Sequence, residues 1–312
     1  MIDFINQVLF VIPEENCNLK KYDSQNPQVF YDHSNGKLWI GDAIKWLQSL
    51  ASESVDLVFA DPPYNIKKAS WDNFKSQAAY INWSLIWIEE VSRILKPTGS
   101  LYICGFSEII ADIKLPALKF FSSCRWLIWH YKNKANFSND WGRSHESILH
   151  FRKTKNFKLN PENIRISYGQ HTLKYPQHPQ AKTSQYDNND KNDSRIWHPH
   201  SKGAKPRDVI EIPTTCNGMH EKTKHPTQKP EELVRKFVLS SSSRGDLVVD
   251  PFFGSGTTLV VAEQLGRKWL GCEIIPEYAE WAVERIKSVK NMSDEEWFWF
   301  DRKNEERRKK IR

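Results

Sequence analysis

Short apolar runs alternate with helical periods along two separate stretches of this chain. Residues 55–60 (Val-Asp-Leu-Val-Phe-Ala) are β-branched and aromatic and predict a buried strand. Residues 37–40 (Lys-Leu-Trp-Ile) predict another strand, which ends at Gly41-Asp42 and leads into a helix over 43–50. Ile81, Leu85, Ile88, Val91, Ile94 and Leu95 recur at helical spacing and predict a helix over 80–95, stopped by Lys96-Pro97-Thr98-Gly99. Strands are expected at 100–104, 125–130 and 146–151, with a helix at 107–118. The pattern lapses near Arg152 and resumes with a helix over 231–241 opened by Pro230. A strand at 247–249, a helix at 257–265, a strand at 268–272 and a helix at 276–289 follow. Ser293-Asp294-Glu295-Glu296 is a capping box for a last, highly charged helix. This alternation predicts an α/β fold with a doubly wound, mostly parallel sheet.

Composition refines the organisation. Residues 1–36 are polar and irregular and read as an N-terminal extension. The α/β pattern falls into 37–151 and 225–290, and 291–312 form the charged C-terminal helix. Between them, 152–224 are rich in Asn, Gln, His, Pro, Lys and Arg, with a loop-like tract at 177–192. A stretch of that length without regular structure is usually functional or disordered. At 312 residues, with 39% hydrophobic and 27% charged positions, the chain suits a soluble globular protein. No apolar run approaches the ~18 residues of a membrane span. The opening Met1-Ile2-Asp3-Phe4-Ile5 does not read as a secretory signal. Five cysteines lack C-x-x-C spacing, which argues against a zinc site or disulfide framework and for a reducing, cytoplasmic location. The net charge of +7 is compatible with a polyanionic partner.

Two turns carry candidate chemistry. Asp61-Pro62-Pro63-Tyr64 follows the strand at 55–60, and the paired prolines end the ladder in a stiff extended turn. A carboxylate and an aromatic ring are thereby held at a strand's C-terminal edge, where open α/β sheets bind ligands. Asp250-Pro251-Phe252-Phe253-Gly254-Ser255-Gly256-Thr257-Thr258 follows a second strand and opens a helix. Its glycines permit a sharp turn and close backbone approach, and the helix start suits an anion. Glu273 ends the next strand, about twenty residues on, as the ribose-binding acid of a nucleoside site does. Leu259 stands where G-x-G-x-x-G needs its third glycine, and no G-x-x-x-x-G-K-[ST] occurs. Nicotinamide and ATP are thereby disfavoured, and S-adenosylmethionine remains. Asp42 reads as readily as a helix cap as a ligand contact.

With these motifs in order, the chain resembles an amino-group DNA methyltransferase of the β class. In that family D-P-P-Y comes first, a target-recognition region follows, and H-P-T-Q-K-P and D-P-F-x-G-S-G-T-T come last. Here these are 61–64, roughly 152–224, 225–230 and 250–258. Gly41-Asp42 and Leu95-Lys96-Pro97-x-Gly99 resemble further family elements. The resemblance implies a Rossmann-like fold with circularly permuted motif order and an inserted target-recognition region.

It also implies roles. Asp61 and the Pro62 carbonyl accept hydrogen bonds from the target amine, Pro63 helps hold the turn, and Tyr64 stacks on a base flipped out of the duplex. Asn65, Trp71 and Asp72 line or close the pocket. Asp61, Asp250, Phe252, Gly254, Ser255, Gly256 and Thr257 meet the methionine part of S-adenosylmethionine, and Thr227 and Lys229 reach the same end. Glu273 holds the ribose and Asp42 lies near the adenine. The substrate is double-stranded DNA with a short specific site, adenine N6 being favoured over cytosine N4. A cognate restriction endonuclease and a homodimer are implied as protein partners, with no metal. No cysteine follows a proline, which disfavours cytosine C5 chemistry. A DNA-binding protein on an inactive methyltransferase fold, and transfer to RNA or to a protein amide, are the competing readings.

Overall fold

The computed structural model describes residues 26–67, 72–131, 139, 141–176, 178–179 and 196–310. Trp71, residues 1–25 and most of the tract 177–192 lie outside the described residues. In chain order the elements are β1 (Gln28–His33), β2 (Gly36–Ile40), α1 (Ala43–Ser49), β3 (Val55–Ala60), α2 (Gln77–Ile94) and β4 (Leu95–Gly105). Then come α3 (Ser107–Ala117), β5 (Ser123–His130), β6 (His145–Arg152), α4 (Gln170–Lys174), β7 (His178–Pro179), β8 (Ile196–Trp197) and β9 (Val209–Glu211). The chain continues with α5 (Glu231–Ser241), β10 (Leu247–Asp250), α6 (Thr257–Gln264), β11 (Lys268–Glu273), α7 (Pro276–Lys287) and α8 (Asp294–Lys310).

Among the described residues the main sheet has nine strands in the order β1-β2-β11-β10-β3-β4-β6-β5-β9. Its centre, β2-β11-β10-β3-β4, is wholly parallel. Every residue of β3 is buried, as a central strand covered on both faces requires. Val58 and Ala60 join the core with Trp87, Ile88 and Val91 of α2, whereas Phe59 stacks on Phe237 of α5 at 5.9 Å. Successive side chains of a strand point to opposite faces, so the helices around α2 and around α5 cover opposite sides. The one charged residue in β3, Asp56, is matched by Lys96 Nζ at 2.7 Å and by the Leu247 amide at 2.9 Å.

Two local expectations change. Residues 28–33 are not an irregular extension but the strand β1, paired antiparallel with β2 through a turn at Ser34-Asn35. The Lys96-Pro97-Thr98-Gly99 stop does end α2, yet the chain enters β4 directly. Val55 pairs with Leu95 and Leu57 with Ser100, so the four residues bulge out within the strand. The capping box forms as expected: the Ser293 amide and hydroxyl donate to Glu296 Oε2 at 2.7 and 2.8 Å.

Contacts divide the chain into two compact units. The first comprises 1–159 and 208–292 and contains the nine-stranded sheet; the second comprises 160–207 and 293–312. Within the second, Arg302 of α8 donates to the carbonyls of Arg165 and Lys202, both at 2.7 Å. The stretch expected as an insertion, 152–224, thus begins within β6, runs through the second unit and returns to the sheet at β9. No helix among the described residues is long and apolar enough to cross a membrane.

Candidate active site

The parallel centre of the sheet decides where the chemistry sits. β2, β11, β10 and β3 end side by side, and the residues that follow them, Gly41-Asp42, Ile274, Pro251 and Asp61, line one cleft. The cleft encloses about 1170 Å³ of empty space, part of it open to solvent. Apolar Ile44, Phe59, Trp83, Phe252 and Ile274 share its walls with a few polar groups, the mix expected of a small-molecule site. All of its lining belongs to the first unit.

At the β3 end, Asp61 is held from both sides. The Tyr64 hydroxyl donates to Oδ1 at 2.6 Å, and the Lys229 ammonium lies 2.6 Å from Oδ2. Glu146, at the start of β6, completes the group: its Oε2 is 3.1 Å from the Tyr64 hydroxyl and 3.3 Å from Lys229 Nζ. Burial opposes the charge on Lys229, but the Asp61 and Glu146 carboxylates more than offset it, so the ammonium titrates above its ordinary range. Burial, reinforced by the same two carboxylates, pushes the Tyr64 phenol well up, so it stays a neutral donor. Its ring is packed edge-on against Phe106 at 5.1 Å.

The loop after Tyr64 is pinned by Asp72. Its Oδ1 accepts from the amides of Tyr64 and Asn65 at 2.7 and 2.6 Å, and Oδ2 accepts from Ile66 at 3.2 Å. Asn65 sits at φ 58°, and its side chain accepts from the Phe74 amide at 3.0 Å. Asp72, expected at the pocket wall, lines the cleft and also holds the Tyr64-Asn65-Ile66 backbone in shape.

At the β10 end, Gly254 and Gly256 have φ of 50° and 78°. A Cβ at Gly256 would lie 2.5 Å from Ala282 Cβ of α7, and one at Gly254 would lie 2.9 Å from His225 Nε2. These glycines are therefore required by neighbouring protein as well as by the turn. Arg285 of α7 donates to the Ser255 carbonyl at 2.7 Å and to Thr257 Oγ1 at 3.1 Å, bracing the turn from behind. Glu273 accepts from the amides of Gly254, Ile274 and Ile275 at 2.8–2.9 Å, and burial still raises its pKa. Asp250 receives the Phe252 amide at 3.0 Å, and burial pushes it up to about 7.

The His225–Pro230 segment spans the two ends. His225 is buried against Tyr278 at 4.5 Å, and burial lowers it to about 4, so the ring is neutral at pH 7. Its Nδ1 accepts from the Thr227 amide at 3.3 Å, which leaves the proton on Nε2. Thr227 and Lys229 both line the cleft, with Lys229 paired to Asp61. Asp42 does two things: it caps α1 through the Lys45 amide at 2.9 Å and lines the cleft.

The cleft thus gathers Asp42, Asp61, Pro62, Pro63, Tyr64, Thr227, Lys229, Asp250, Phe252, Gly254, Ser255, Thr257 and Glu273. Gly256 stands behind it as the left-handed residue before α6. Glu146, Phe106 and Arg285 belong to no motif that singled them out, and His225 opens the 225–230 motif without having been given a role. Glu146 had one local signal, an acid opening an otherwise apolar strand.

A parallel sheet with an acid-ended strand beside a glycine turn is the frame of an α/β methyltransferase. In fold the chain is similar to the PvuII DNA methyltransferase (cytosine-N4-specific), with TM-score 0.62 and 22% identity over 86% of this chain and 92% of that one. It is also similar to a Thermus thermophilus chain titled a putative DNA modification methylase and solved in complex with S-adenosyl-L-methionine, at TM-score 0.55 and 25% identity, covering 81% and 94%. The family model described as DNA methylase (N6/N4) matches residues 55–284, and the chain belongs to that family. The DNA adenine methyltransferase YhdJ of Escherichia coli is 34% identical over 82% of this chain and 84% of its own length. The type II methyltransferase M.HpaI of Haemophilus parainfluenzae is 33% identical over 83% and 76%.

Proposed function

We propose that this DNA methyltransferase moves a methyl group from S-adenosylmethionine to the N6 amine of an adenine flipped out of a short specific site in double-stranded DNA. The observation that carries the reading is the paired Asp61 carboxylate, facing the same cleft as the glycine turn and Glu273. The donor set fits the cofactor: an acid at the end of β11 for ribose hydroxyls, a helix start for a carboxylate, and apolar Ile44, Phe252 and Ile274 for an adenine. When bound, the cofactor supplies an electrophilic methyl on a sulfonium.

Asp61 orients the target amine. Each of its oxygens has a second lone pair beyond the bond it already makes, so it can accept an N–H while Tyr64 and Lys229 hold it still. An accepted N–H draws the nitrogen lone pair out of conjugation with the ring and aims it. The Pro62 carbonyl offers a second acceptor on a backbone with little freedom, so positioning contributes much of the rate. Tyr64 presents its ring to the base while its hydroxyl fixes Asp61. Asp42, Asp250, Phe252, Gly254, Ser255, Gly256, Thr257, Thr227 and Glu273 form the cofactor end.

Adenine is favoured by the name of the Escherichia coli relative, and cytosine N4 is the second reading, favoured by the specificity of the PvuII enzyme. The stretch 152–224 and the C-terminal helix are the proposed DNA-reading region, supported by their mix of basic and amide side chains. A cytoplasmic location, a cognate endonuclease and a homodimer complete the reading. The type II names of the relatives support the endonuclease. The test is incubation with methyl-labelled cofactor and DNA, digestion to nucleosides and mass analysis. N6-methyladenosine is expected; N4-methylcytosine establishes the second reading, and no labelled nucleoside from a broad set of DNAs rejects both.

A further inference from the structure

The charge of the Asp61 cluster depends on a residue outside every motif. Glu146 is the second residue of β6, which runs antiparallel to β4 with Ser147 opposite Gly105. Its first residues therefore reach the edge at which β3 and β4 end. There Glu146 touches the same two groups as Asp61: the Tyr64 hydroxyl at 3.1 Å and Lys229 Nζ at 3.3 Å. The side chains of Lys229, Glu146 and Asp61 are 6%, 14% and 18% exposed, so water does little to screen them.

Two carboxylates share one ammonium and one neutral phenol, and the cluster carries one net negative charge. Without Glu146, Asp61 would be fully neutralised by an ammonium 2.6 Å away. That difference matters for the reaction proposed above, on which this inference rests. The N–CH3 bond forms as the S–CH3 bond breaks with its electron pair left on sulfur. Positive charge thereby passes to the amine nitrogen, until a proton is released to water. A neutral ion pair stabilises that nitrogen poorly, whereas a net negative charge beside it, little screened by water, stabilises it well.

We propose that Glu146 is a positioning residue that engages Lys229 and Tyr64 so that Asp61 keeps its negative charge for the target amine. The role is one of charge, not of hydrogen bonding, because the amide oxygen of a glutamine could still accept from Lys229, while the Tyr64 proton is already given to Asp61.

Glu146→Gln and Glu146→Asp separate the two. In single-turnover methyl transfer, E146Q should lose roughly 100-fold, as when one group that stabilises the transition state is removed, while E146D, which keeps the charge, stays within about tenfold of wild type. A second readout needs no turnover. Calorimetry should show E146Q losing at least about threefold in its affinity for the cationic sulfonium cofactor relative to the neutral thioether product, with E146D unchanged in that ratio. The inference is overturned if E146Q transfers methyl as wild type does, or if both variants lose alike with the ratio unchanged. It is equally overturned if E146Q binds neither cofactor nor product, which would make Glu146 a packing residue. If wild type itself transfers no methyl to DNA, the functional reading fails, and the affinity ratio alone decides the role of Glu146.

Discussion

Asp61 directly follows β3 and Asp250 ends the neighbouring β10, each is followed by proline, and both face the same cleft. Their surroundings nonetheless make them different chemical groups. Asp61 has an ammonium on one oxygen and a phenol on the other. Asp250 is 3% exposed and meets only neutral donors, the Phe252 amide and the Thr258 side chain, so burial lifts it to about 7. The same Asp-Pro sequence thus yields one carboxylate held between an ammonium and a phenol and another that burial brings to about 7. What differs is the third dimension: Lys229 reaches the end of β3, and among the described residues no cation bonds to Asp250.

The sharpest way to break the comparison is to neutralise each acid in turn. Asp61→Asn should lower the rate of methyl transfer by about 10³-fold or more while cofactor affinity survives, measured by single-turnover kinetics beside calorimetry. Asp250→Asn should do the reverse, weakening cofactor binding more than the chemical step. If D61N instead lost cofactor binding alone, the two roles would be exchanged.

Asp250 should also leave a pH signature in stability. Its pKa is raised on folding, from an ordinary 3.8 to about 7. Its stabilising contribution is therefore complete below pH 4 and is lost as pH rises through 7. D250N should melt higher than wild type at pH 8, by an amount on the order of a few kcal/mol at about 1.4 per pKa unit, and the gap should close towards pH 4. A constant gap across thermal melts from pH 4 to 9 would mean that Asp250 finds a charged partner.

A smaller effect sharpens the turn that follows Asp250. Gly256→Ala places a methyl group 2.5 Å from Ala282 Cβ at φ 78° and should cost about 1–3 kcal/mol of stability, with Ala282→Gly restoring part of it. Asp42→Ala is the least of the set. It removes the cap on α1, for about 1 kcal/mol in denaturant melts, and any larger loss of cofactor affinity would reveal its second role in the cleft.

The strand ends were legible because they are local. A β-branched run closed by Pro-Pro, or by a glycine turn before a helix, announces its geometry within ten residues. β1 escapes the hydrophobic pattern because polar residues are interspersed through 26–36, and its turn, Ser34-Asn35, is not an Asn-Gly pair, Gly36 already lying in β2 opposite His33. Asp72 was placed at the pocket, but the amides it ties are the product of positive φ at Asn65, which no composition reveals. Glu146 was read only as part of a strand. Its place beside Lys229 comes from antiparallel pairing with β4, which carries the start of β6 to the edge where parallel strands end, and pairing direction is not written in either segment alone.

The discontinuity of the sheet unit has a further consequence. The chain leaves it after Leu159, next to Lys158, whose amide bonds the Thr98 carbonyl, and re-enters at Asp208, whose carbonyl receives the Ile128 amide. Both junctions are fastened to strands of one sheet, and none of the cleft lining lies in the excursion between them. Residues 160–207 are in this sense a cassette. Among the described residues they supply no side chain to the carboxylate cluster, so under the DNA-reading role proposed above the sequence that is read can change while the groups that carry the chemistry are inherited intact.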